Sequence, residues 1–275
     1  MTIQTALLQG TKLFEEGAIS VPRLTAEVLL AHALRRERVY LYAHPEEELK
    51  EVAWIHYGRY LHERLKGKPT QYIIGHQEFY GRDFRVTPDV LIPRPETEHL
   101  ISAALARIHK GDTVVDVGTG SGAIAITLSL EAQANIYATD ISTPALAVAA
   151  QNARALSAPV DFLAADLASC FAARSIDVLV SNPPYVPASD HHGLQREVRD
   201  FEPHLALFAG PSGIEIYERL IGHASRVLRP GGSLLVELGY NSLEPVKAML
   251  DLAWSDICIE HDLAGLPRVL SATLK

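Results

Sequence analysis

The sequence has few of the residues that build disulfide-rich or metal-binding proteins. Only two of its 275 residues are cysteines, Cys170 and Cys258, and they lie far apart without a CxxC or Cys/His spacing. The twelve histidines form no HxxxH or HExxH pattern, and the pair His191-His192 is typical of a solvated loop. We therefore expect two reduced thiols in the core of a cytosolic protein, with neither a disulfide framework nor a metal site.

Long apolar stretches are also missing. No run approaches the roughly 20 apolar residues that a membrane-spanning helix needs, so we do not expect an integral membrane protein. The first six residues lack a basic region followed by an apolar segment and a small-residue cleavage site, and we expect a cytoplasmic protein. A composition of 48% hydrophobic and 21% charged residues is ordinary for a globular protein and excludes a disordered chain.

Positive charge is scarce in most of the chain. Residues 1–80 carry as many acidic as basic side chains, so the net charge of −8 resides entirely in residues 81–275. A segment of that charge repels a phosphate backbone at long range, and no basic run is visible. We expect no direct contact with nucleic acid.

Apolar periodicity divides the chain into two domains and a linker. Residues 1–70 show helical spacing and predict a small helical domain, whose third helix would run over residues 45–66. Residues 71–93 contain two short β-rich runs, 72–75 and 78–81, with glycine turns and then closely spaced prolines that enforce an extended path. We expect this segment to be a hairpin linker between the domains.

Residues 94–275 alternate helical segments with seven short apolar strands. Continuous apolar strands joined by helices are typical of an α/β fold in which a mostly parallel sheet is covered by helices on both faces. Ligands of such Rossmann-like sheets bind at the carboxyl ends of the strands. The residues at these strand ends are therefore the candidates for chemistry.

The first of these strands leads into a glycine-rich turn that reads Asp116-Val117-Gly118-Thr119-Gly120-Ser121-Gly122 and opens a helix. Glycines allow a sharp turn and the close approach of a ligand, and the helix N-terminus offers free N–H donors. With Ala123 the run also satisfies GxGxxA. On the glycines alone, a nicotinamide or flavin enzyme and a tight turn without a ligand both remain open.

Two further carboxylates follow at the ends of the next two strands. Asp140 can accept hydrogen bonds from both hydroxyls of a ribose, or else cap the next helix. Asp166 can receive the exocyclic amine of an adenine, with Leu167 packed on the ring, or else be an ordinary surface residue. Together with Asp116 these acids outline an adenosine pocket, without showing what the adenosine is attached to.

The fourth strand ends in Ser181-Asn182-Pro183-Pro184-Tyr185. At this strand end the motif resembles that of class I S-adenosylmethionine-dependent methyltransferases acting on planar amide or amine nitrogens. In those families the Asn oxygen and the carbonyl of the first Pro accept hydrogen bonds from the target NH2. Such a nitrogen is a poor nucleophile because its lone pair is delocalised, and two rigidly held acceptors favour its pyramidal form.

Four motifs together resemble the protein-glutamine N5-methyltransferases of the HemK/PrmC family. They are IPRPETE at 92–98, DVGTGSG at 116–122, SNPPY at 181–185 and VRDFEPHLAL at 198–207. The helical amino-terminal domain and the hairpin match as well, so the likeness spans essentially the whole chain. It implies a class I methyltransferase domain over 94–275, a substrate-docking domain over 1–70, and methyl transfer from S-adenosylmethionine to the GGQ glutamine of class-1 peptide chain release factors.

The resemblance also implies roles for individual residues. Asn182 and Pro183 would hold the substrate amide as the catalytic pair, with Pro184 and Tyr185 shaping its slot. Arg94 and Glu98 would either contribute at the domain junction or form a local salt bridge. The implied cofactor-binding residues are Gly118, Thr119, Gly120, Ser121, Gly122, Asp140, Asp166, Leu167 and Asn182.

The chain departs from the family pattern at two places. Residues 208–213 are a looser version of a glycine-rich segment, and Leu167 stands where some members carry an aromatic residue. The departure at Leu167 affects only how the adenine ring would pack.

Other functions remain open on the sequence alone. A glutamine methyltransferase of a ribosomal protein would share nearly every catalytic residue. An adenine-N6 nucleic-acid methyltransferase would suit the NPPY motif equally well, but it should bring a target-recognition domain and basic strips. A dinucleotide-dependent oxidoreductase would leave the NPPY motif unexplained. In a noncatalytic scaffold, sequence drift should have eroded both the NPPY motif and the glycine-rich turn.

Overall fold

The computed structural model describes residues Met1–Lys275, which divide into two compact units. The first unit consists of Met1–Gly75 together with Gln195–Phe201, and the second of His76–Leu194 together with Glu202–Lys275. None of the helices combines the length and the apolar character that crossing a membrane requires.

The first unit is helical, as predicted. Its core is made of buried apolar side chains, among them Ile3, Phe14 and Tyr57. Its helices are α1 (Ile3–Glu16), α2 (Pro22–Leu34), α3 (Arg38–Ala43), α4 (Glu51–Leu65), α5 (Thr70–Ile74) and α9 (Arg196–Phe201).

The predicted start of the long helix at residue 45 is wrong, since α4 begins at Glu51. The carbonyl groups of Pro45 and Glu47 accept hydrogen bonds from the N–H groups of Gln4 and Ile3, at 2.9 Å each. These N–H groups belong to the first turn of α1 and have no partner within that helix. Residues 45–47 therefore serve as a cap for α1, and the long helix begins only after them.

The prediction of a β-rich run at 72–75 is also wrong, because these residues belong to α5 and its end. The helix starts directly after Pro69 and stops at Gly75, which has a φ of 84°. That left-handed conformation is favoured by glycine and is common just past a helix end. The β-branched pair Ile73-Ile74 suggested a strand, but one helical turn between a proline and a glycine accommodates it.

Helix α9 carries a segment from late in the sequence into the first unit. Arg64 of α4, whose side chain is buried, forms an ion pair with Glu197 of α9. Gly67, with a φ of 101°, leaves the space that the side chains of Arg196 and Phe201 occupy. The sequence did not predict this helix, because its six residues are too few to show a helical period.

The second unit begins with a two-stranded antiparallel hairpin. Of the residues 71–93 expected to link the domains, 71–75 belong to the first unit, and 76–93, which include the hairpin, belong to the second. Its strands are β1 (His76–Phe79), β2 (Arg82–Arg85), β3 (Thr113–Val117), β4 (Asn135–Asp140), β5 (Val160–Ala164), β6 (Ile176–Ser181), β7 (Val186–Pro187), β8 (Phe208–Gly210), β9 (Leu228–Glu237), β10 (Trp254–His261) and β11 (Pro267–Leu274). Its helices are α6 (Glu98–Leu105), α7 (Ala123–Glu131), α8 (Thr143–Leu156), α10 (His204–Leu207), α11 (Glu215–Val227) and α12 (Leu243–Ala248).

The main sheet has seven strands in the order β10-β11-β9-β6-β3-β4-β5. The five strands from β9 to β5 are parallel, and β11 is antiparallel to both of its neighbours. This confirms the mostly parallel, seven-stranded, Rossmann-like sheet. The strand order reverses between β3 and β6, and the carboxyl ends of strands at such a reversal border the ligand crevice of an open α/β sheet.

Successive side chains of the central strands enter two apolar layers. Val114 of β3 belongs to the layer formed with α6 and α7, and Val115 and Val117 belong to the layer formed with α11 and α12. Burial on both faces explains why β3 and β6 are mostly apolar, and why the last part of β9 is apolar from Leu234 to Val236. The sheet is thereby a rigid support for the residues that follow each strand.

Cys170 and Cys258 are free thiols, but the expectation that they lie in the core is wrong, since both are exposed. Cys258 belongs to β10, the outermost strand of the sheet. Most residues in the middle of this strand are exposed, because an edge strand is covered less completely than a central one.

Candidate active site

The glycine-rich turn after β3 forms one wall of a pocket. Gly118 and Gly120 line it, with φ angles of 75° and 55°. A Cβ atom at either position would meet no atom within 4 Å, so the turn presents bare backbone to open space. The N–H groups of Gly118 and Thr119 donate to the carbonyl of Thr139 in β4, which fixes the turn against the sheet.

Three of the predicted cofactor residues support this turn without lining the pocket. The buried Thr119 hydroxyl donates to Oδ2 of Asp116 at 2.6 Å. The carbonyl of Ser121 accepts a hydrogen bond from Asn152 at 2.8 Å. A Cβ atom at Gly122 would lie 2.8 Å from a side chain of α7 and 3.1 Å from one of α8, so only glycine allows this close packing.

Asp116 is a fully buried carboxyl at the end of β3. Its Oδ2 accepts from the Thr119 hydroxyl and from the N–H of Ala125, and its Oδ1 has no hydrogen-bond partner. Burial raises the pKa of Asp116 to about 7, which outweighs the lowering by the two hydrogen bonds, and the nearby Asp140 raises the pKa further.

We expect Asp116 to make the free energy of unfolding fall by up to about 4 kcal/mol between pH 4 and pH 7. The carboxyl binds its proton more tightly in the folded chain. Its contribution is therefore complete below the pKa of the unfolded chain and is lost as pH rises through about 7. Asp116→Asn should flatten this dependence, measured by urea denaturation at pH 4.5, 6 and 8. The exposed Asp161→Asn is the control, and equal slopes in both variants would contradict the prediction.

Asp140 stands at the end of β4, on the same edge of the sheet. Its Oδ2 accepts from the N–H of Gly120 and its Oδ1 from the N–H of Ser142, at 2.9 Å each. The side chain also lines the pocket, and burial raises its pKa. Each carboxylate oxygen has a second lone pair, so Asp140 can hold the glycine turn and still accept hydrogen bonds from a ligand.

Asp166 and Leu167 line the pocket beyond β5. Oδ2 of Asp166 accepts from Nη2 of Arg219 at 2.5 Å, and no hydrogen bond engages its Oδ1. Leu167 has a φ of 50°, which is rare for a residue with a branched side chain and turns it toward α11. Sequence reasoning missed Arg219, because nothing distinguishes it from other charged residues of a helix.

The motif after β6 lies on the same edge of the sheet. Asn182 and Pro184 line the pocket, Pro183 is buried, and Tyr185 is half-buried beside it. The Ser181 hydroxyl donates to the carbonyl of Val117 at 2.7 Å, which ties the end of β6 to the end of β3. Seven of the predicted residues thus border one pocket: Gly118, Gly120, Asp140, Asp166, Leu167, Asn182 and Pro184.

Two glycines leave room for Tyr185, one beside its ring and one beside its backbone carbonyl. A Cβ atom at Gly239 would lie 2.6 Å from Cδ2 of Tyr185, and one at Gly213 would lie 2.8 Å from the Tyr185 carbonyl oxygen. Burial raises the pKa of the Tyr185 hydroxyl to about 12, so it remains neutral. The looser glycine-rich segment at 208–213 therefore keeps the one glycine that this contact requires.

Arg94 and Glu98 have structural partners. Arg94 forms an ion pair with Glu202 at 2.5 Å, and Glu202 also accepts from the N–H of Ile92 at 3.2 Å. Glu98 accepts from the N–H of Tyr80 in the hairpin at 3.0 Å. The ion pair of Arg94 is thus not local to the linker, since it joins the motifs at 92–98 and 198–207.

Several lining residues were not predicted. Ile141 follows Asp140 directly, so its position after a strand end was a usable signal. The VRDFEPHLAL motif contributed to the family resemblance, but none of its residues was predicted to line the site. The unpredicted lining residues are Asp89, Val90, Leu91, Ile141, Ser142, Ala145, Ala165, Pro203, Leu205, Ala206, Ile216 and Arg219.

No three His, Cys, Asp or Glu residues of the chain are arranged to hold a metal ion. In the loop after NPPY, His191 stacks on Phe208 with ring centroids 5.6 Å apart. His192 and His204 contact His191 edge to face, which makes this group an aromatic cluster.

The seven-stranded sheet, with its glycine turn and strand-end acids, defines a class I methyltransferase. Solved structures share this fold. A methyltransferase from Pyrococcus furiosus superposes with a TM-score of 0.54 at 19% identity, covering 72% of this chain and 90% of that one. A 16S rRNA N2 G1207 methyltransferase from T. thermophilus, in complex with AdoMet and guanosine, gives a TM-score of 0.53 at 20% identity. The match covers 73% of this chain and 50% of that one.

Sequence comparison narrows the class to one family. The family model described as PrmC N-terminal domain matches residues 5–75, and the one described as methyltransferase small domain matches residues 96–199. Release factor glutamine methyltransferases from Koribacter versatilis and Moorella thermoacetica are 45% and 44% identical, covering 98% and 99% of this chain and 98% of each relative. The chain belongs to the release factor glutamine methyltransferases.

Proposed function

We propose that this protein transfers a methyl group from S-adenosylmethionine to the side-chain amide nitrogen of the GGQ glutamine in class-1 peptide chain release factors. One observation carries the proposal. Asn182, with its Oδ1 free of any hydrogen bond within the protein, borders the same pocket as Gly118, Gly120 and Asp140. An amide acceptor thus lies beside a backbone cradle suited to a nucleoside-bearing ligand.

The residues of the pocket fit S-adenosylmethionine. Gly118 and Gly120 offer bare backbone where any side chain would occupy the space of a ligand. Asp140 would accept from the ribose hydroxyls, and Oδ1 of Asp166 would accept from the adenine amine, with Leu167 packed on the ring. When bound, S-adenosylmethionine supplies an electrophilic methyl carbon.

Two acceptor groups of the protein orient the target amide nitrogen for methyl transfer. Asn182 Oδ1 and the Pro183 carbonyl accept the two N–H bonds of the target amide, which fixes its orientation and favours the pyramidal form. The two prolines restrict the loop, so both acceptors are placed before the substrate arrives. A strong general base is not required, because the nitrogen loses its proton readily only once methyl transfer is under way.

Asp140→Ala should weaken the binding of S-adenosylhomocysteine by about 1–3 kcal/mol, because a charged hydrogen-bond acceptor is lost. The glycine turn also loses its bond from the Gly120 N–H to Oδ2. Isothermal titration calorimetry measures the affinity, with the exposed Asp161→Ala as control. If Asp140→Ala binds as tightly as the wild type, Asp140 is not part of the ribose site.

The partner of the reaction is a release factor, and we assign its docking to the first unit. Val52 and Ile55 of α4 are two-thirds and three-fifths exposed, which places apolar surface on that unit. The charge of −8 in residues 81–275 supports recognition of a protein and no direct contact with nucleic acid.

The test is methyl transfer from labelled S-adenosylmethionine to a purified class-1 release factor, beside a copy whose GGQ glutamine is alanine. Label on the first alone, located on that glutamine by mass spectrometry, supports the proposal. No label on either, while S-adenosylhomocysteine still binds, would overturn it and direct the search to ribosomal proteins and then to nucleic acid.

A further inference from the structure

Part of the pocket is bordered by a segment without regular secondary structure. Residues 86–92 follow strand β2, and Asp89, Val90 and Leu91 of this segment line the pocket together with the glycine turn. The segment pairs with no strand of the sheet. A turn within it is closed by the N–H of Val90, which donates to the carbonyl of Thr87 at 3.1 Å. Without a strand partner, its path depends on side-chain packing and on how its two ends are attached.

Both ends of the segment are attached to buried polar side chains. At one end, the backbone of Arg85 makes two hydrogen bonds with Asn152 of α8: its N–H donates to Oδ1 at 2.8 Å, and its carbonyl accepts from Nδ2 at 3.0 Å. At the other end, the N–H of Ile92 donates to Oε2 of Glu202 at 3.2 Å. Asn152 and Glu202 are 3% and 4% exposed. Leaving such buried groups unpaired is costly, so both ends are held firmly.

Asn152 also holds the glycine turn. Its Nδ2 donates to the carbonyl of Ser121 at 2.8 Å. Ser121 stands between Gly120, which lines the pocket, and Gly122, which packs against α8. One side-chain amide thus connects two pieces of chain that border the pocket, although they are far apart in sequence.

The orientation of the Asn152 amide is fixed by its partners. All of them are backbone groups, and a backbone N–H can only donate whereas a carbonyl can only accept. A rotation of the amide by 180° would place Nδ2 against the N–H of Arg85 and Oδ1 against a carbonyl, and would break these bonds. Aspartate and leucine share the shape of asparagine, but the first lacks the donors and the second lacks every polar group. The position therefore requires asparagine if all three bonds are to form.

The face of α8 that carries Asn152 reaches the pocket. Ala145 lines the pocket, and Ala149 lies where a Cβ atom at Gly122 would come within 3.1 Å of its own Cβ. Asn152 follows at the next position on this face, since residues three and four apart are neighbours on a helix surface. The helix is thereby a rigid support for the amide.

We propose that Asn152 is a positioning residue for the cofactor, which holds the glycine turn and the segment 86–92 at a fixed distance across the pocket. Asn152 is not among the lining residues and acts through the backbone of Ser121 and Arg85. The inference rests on the proposed function, because it takes the ligand of this pocket to be S-adenosylmethionine. Borders that are held in place before binding need less ordering when the ligand arrives, which strengthens its binding.

The first test is Asn152→Asp, which keeps the shape and the acceptor for the Arg85 N–H but sets a carboxylate against the carbonyls of Arg85 and Ser121. We expect the Kd of S-adenosylhomocysteine, measured by calorimetry, to rise 10- to 30-fold, and the KM for S-adenosylmethionine to rise with it. The value of kcat with both substrates saturating should fall less than threefold, because the groups that orient the target amide are unchanged. An unchanged Kd would overturn the proposal.

A control in the same helix separates positioning from stability. Val148 is buried but does not line the pocket, so Val148→Ala should lower the midpoint of urea denaturation while the Kd stays within twofold of the wild type. Asn152→Ala, which removes the three bonds without adding a charge, replaces Asn152→Asp if the latter does not fold. If Val148→Ala weakens binding as much as the change at Asn152, the effect is one of stability and the proposal is wrong.

A third measurement needs no ligand. Hydrogen exchange of backbone amides, followed by mass spectrometry of peptides, should be at least tenfold faster at residues 86–92 in Asn152→Asp than in the wild type. Peptides of α11, which packs in the other apolar layer, should exchange equally in both proteins. Unchanged exchange at 86–92 would refute the positioning role. A wild type that binds S-adenosylhomocysteine in this Asn152-dependent way but methylates no release factor would refute only the proposed function.

Discussion

Asn182→Ala should lower kcat for methylation of the release factor by a factor on the order of 10²–10³, while the affinity for S-adenosylhomocysteine stays within threefold. The amide oxygen accepts an N–H bond of the target nitrogen most strongly when that nitrogen becomes pyramidal, so its loss raises the barrier more than it weakens binding. The hydrogen bond from Asn182 Nδ2 to the Thr97 hydroxyl is also lost.

Single-turnover rates with saturating release factor measure this effect free of product release. Asn135→Ala is the matched control, because Asn135 is an exposed asparagine at the opposite end of β4. A variant at position 182 that turns over at a rate close to the wild type would remove Asn182 from the chemistry and leave it a wall of the pocket.

Gly239→Ala should lower kcat at least tenfold through the Tyr185 ring. The new Cβ atom would lie 2.6–3.0 Å from three atoms of the Tyr185 side chain, closer than packed carbon atoms tolerate. The ring is the more easily moved of the two, because the backbone at Gly239 is held by the hydrogen bond from its N–H to the Tyr217 hydroxyl at 3.1 Å. It would shift within the slot that receives the substrate amide, and the turn that cradles the cofactor would be unaffected.

Gly222→Ala is the control, because a Cβ atom at this helical position meets nothing within 4 Å. Steady-state kinetics and calorimetry on both variants check the prediction. If Gly239→Ala is as active as Gly222→Ala, the position of Tyr185 has no influence on the reaction.

The sheet and the edge that bears the site were predictable because each signal was local. The apolar runs of β3 and β6 require burial on both faces, and the glycine turn and the NPPY motif directly follow them in sequence. Parallel pairing then places their carboxyl ends on one edge. The roles given to these residues remain predictions, since the pocket shows proximity and the experiments above decide function.

The missed features depend on partners distant in sequence. The capping of α1 by residues 45–47 shows only when the two segments meet. The contact between Asn182 and Thr97 spans 85 residues, and the pairing of Arg94 with Glu202 spans 108. In the sequence, the four residues of these two contacts were visible only as polar residues within motifs.

Because α9 comes late in the sequence but belongs to the first unit, the chain cannot be cut once to give two complete units. A fragment beginning at His76 would retain Gln195–Phe201 but lack α4, leaving Glu197 without Arg64 and Phe201 without the surface at Gly67. Conversely, a fragment ending at Gly75 would lack Glu197, the ion-pair partner of Arg64. Neither half is a self-sufficient module, so gene fusions, truncations and domain exchanges within the family should keep residues 1–201 of one parent together.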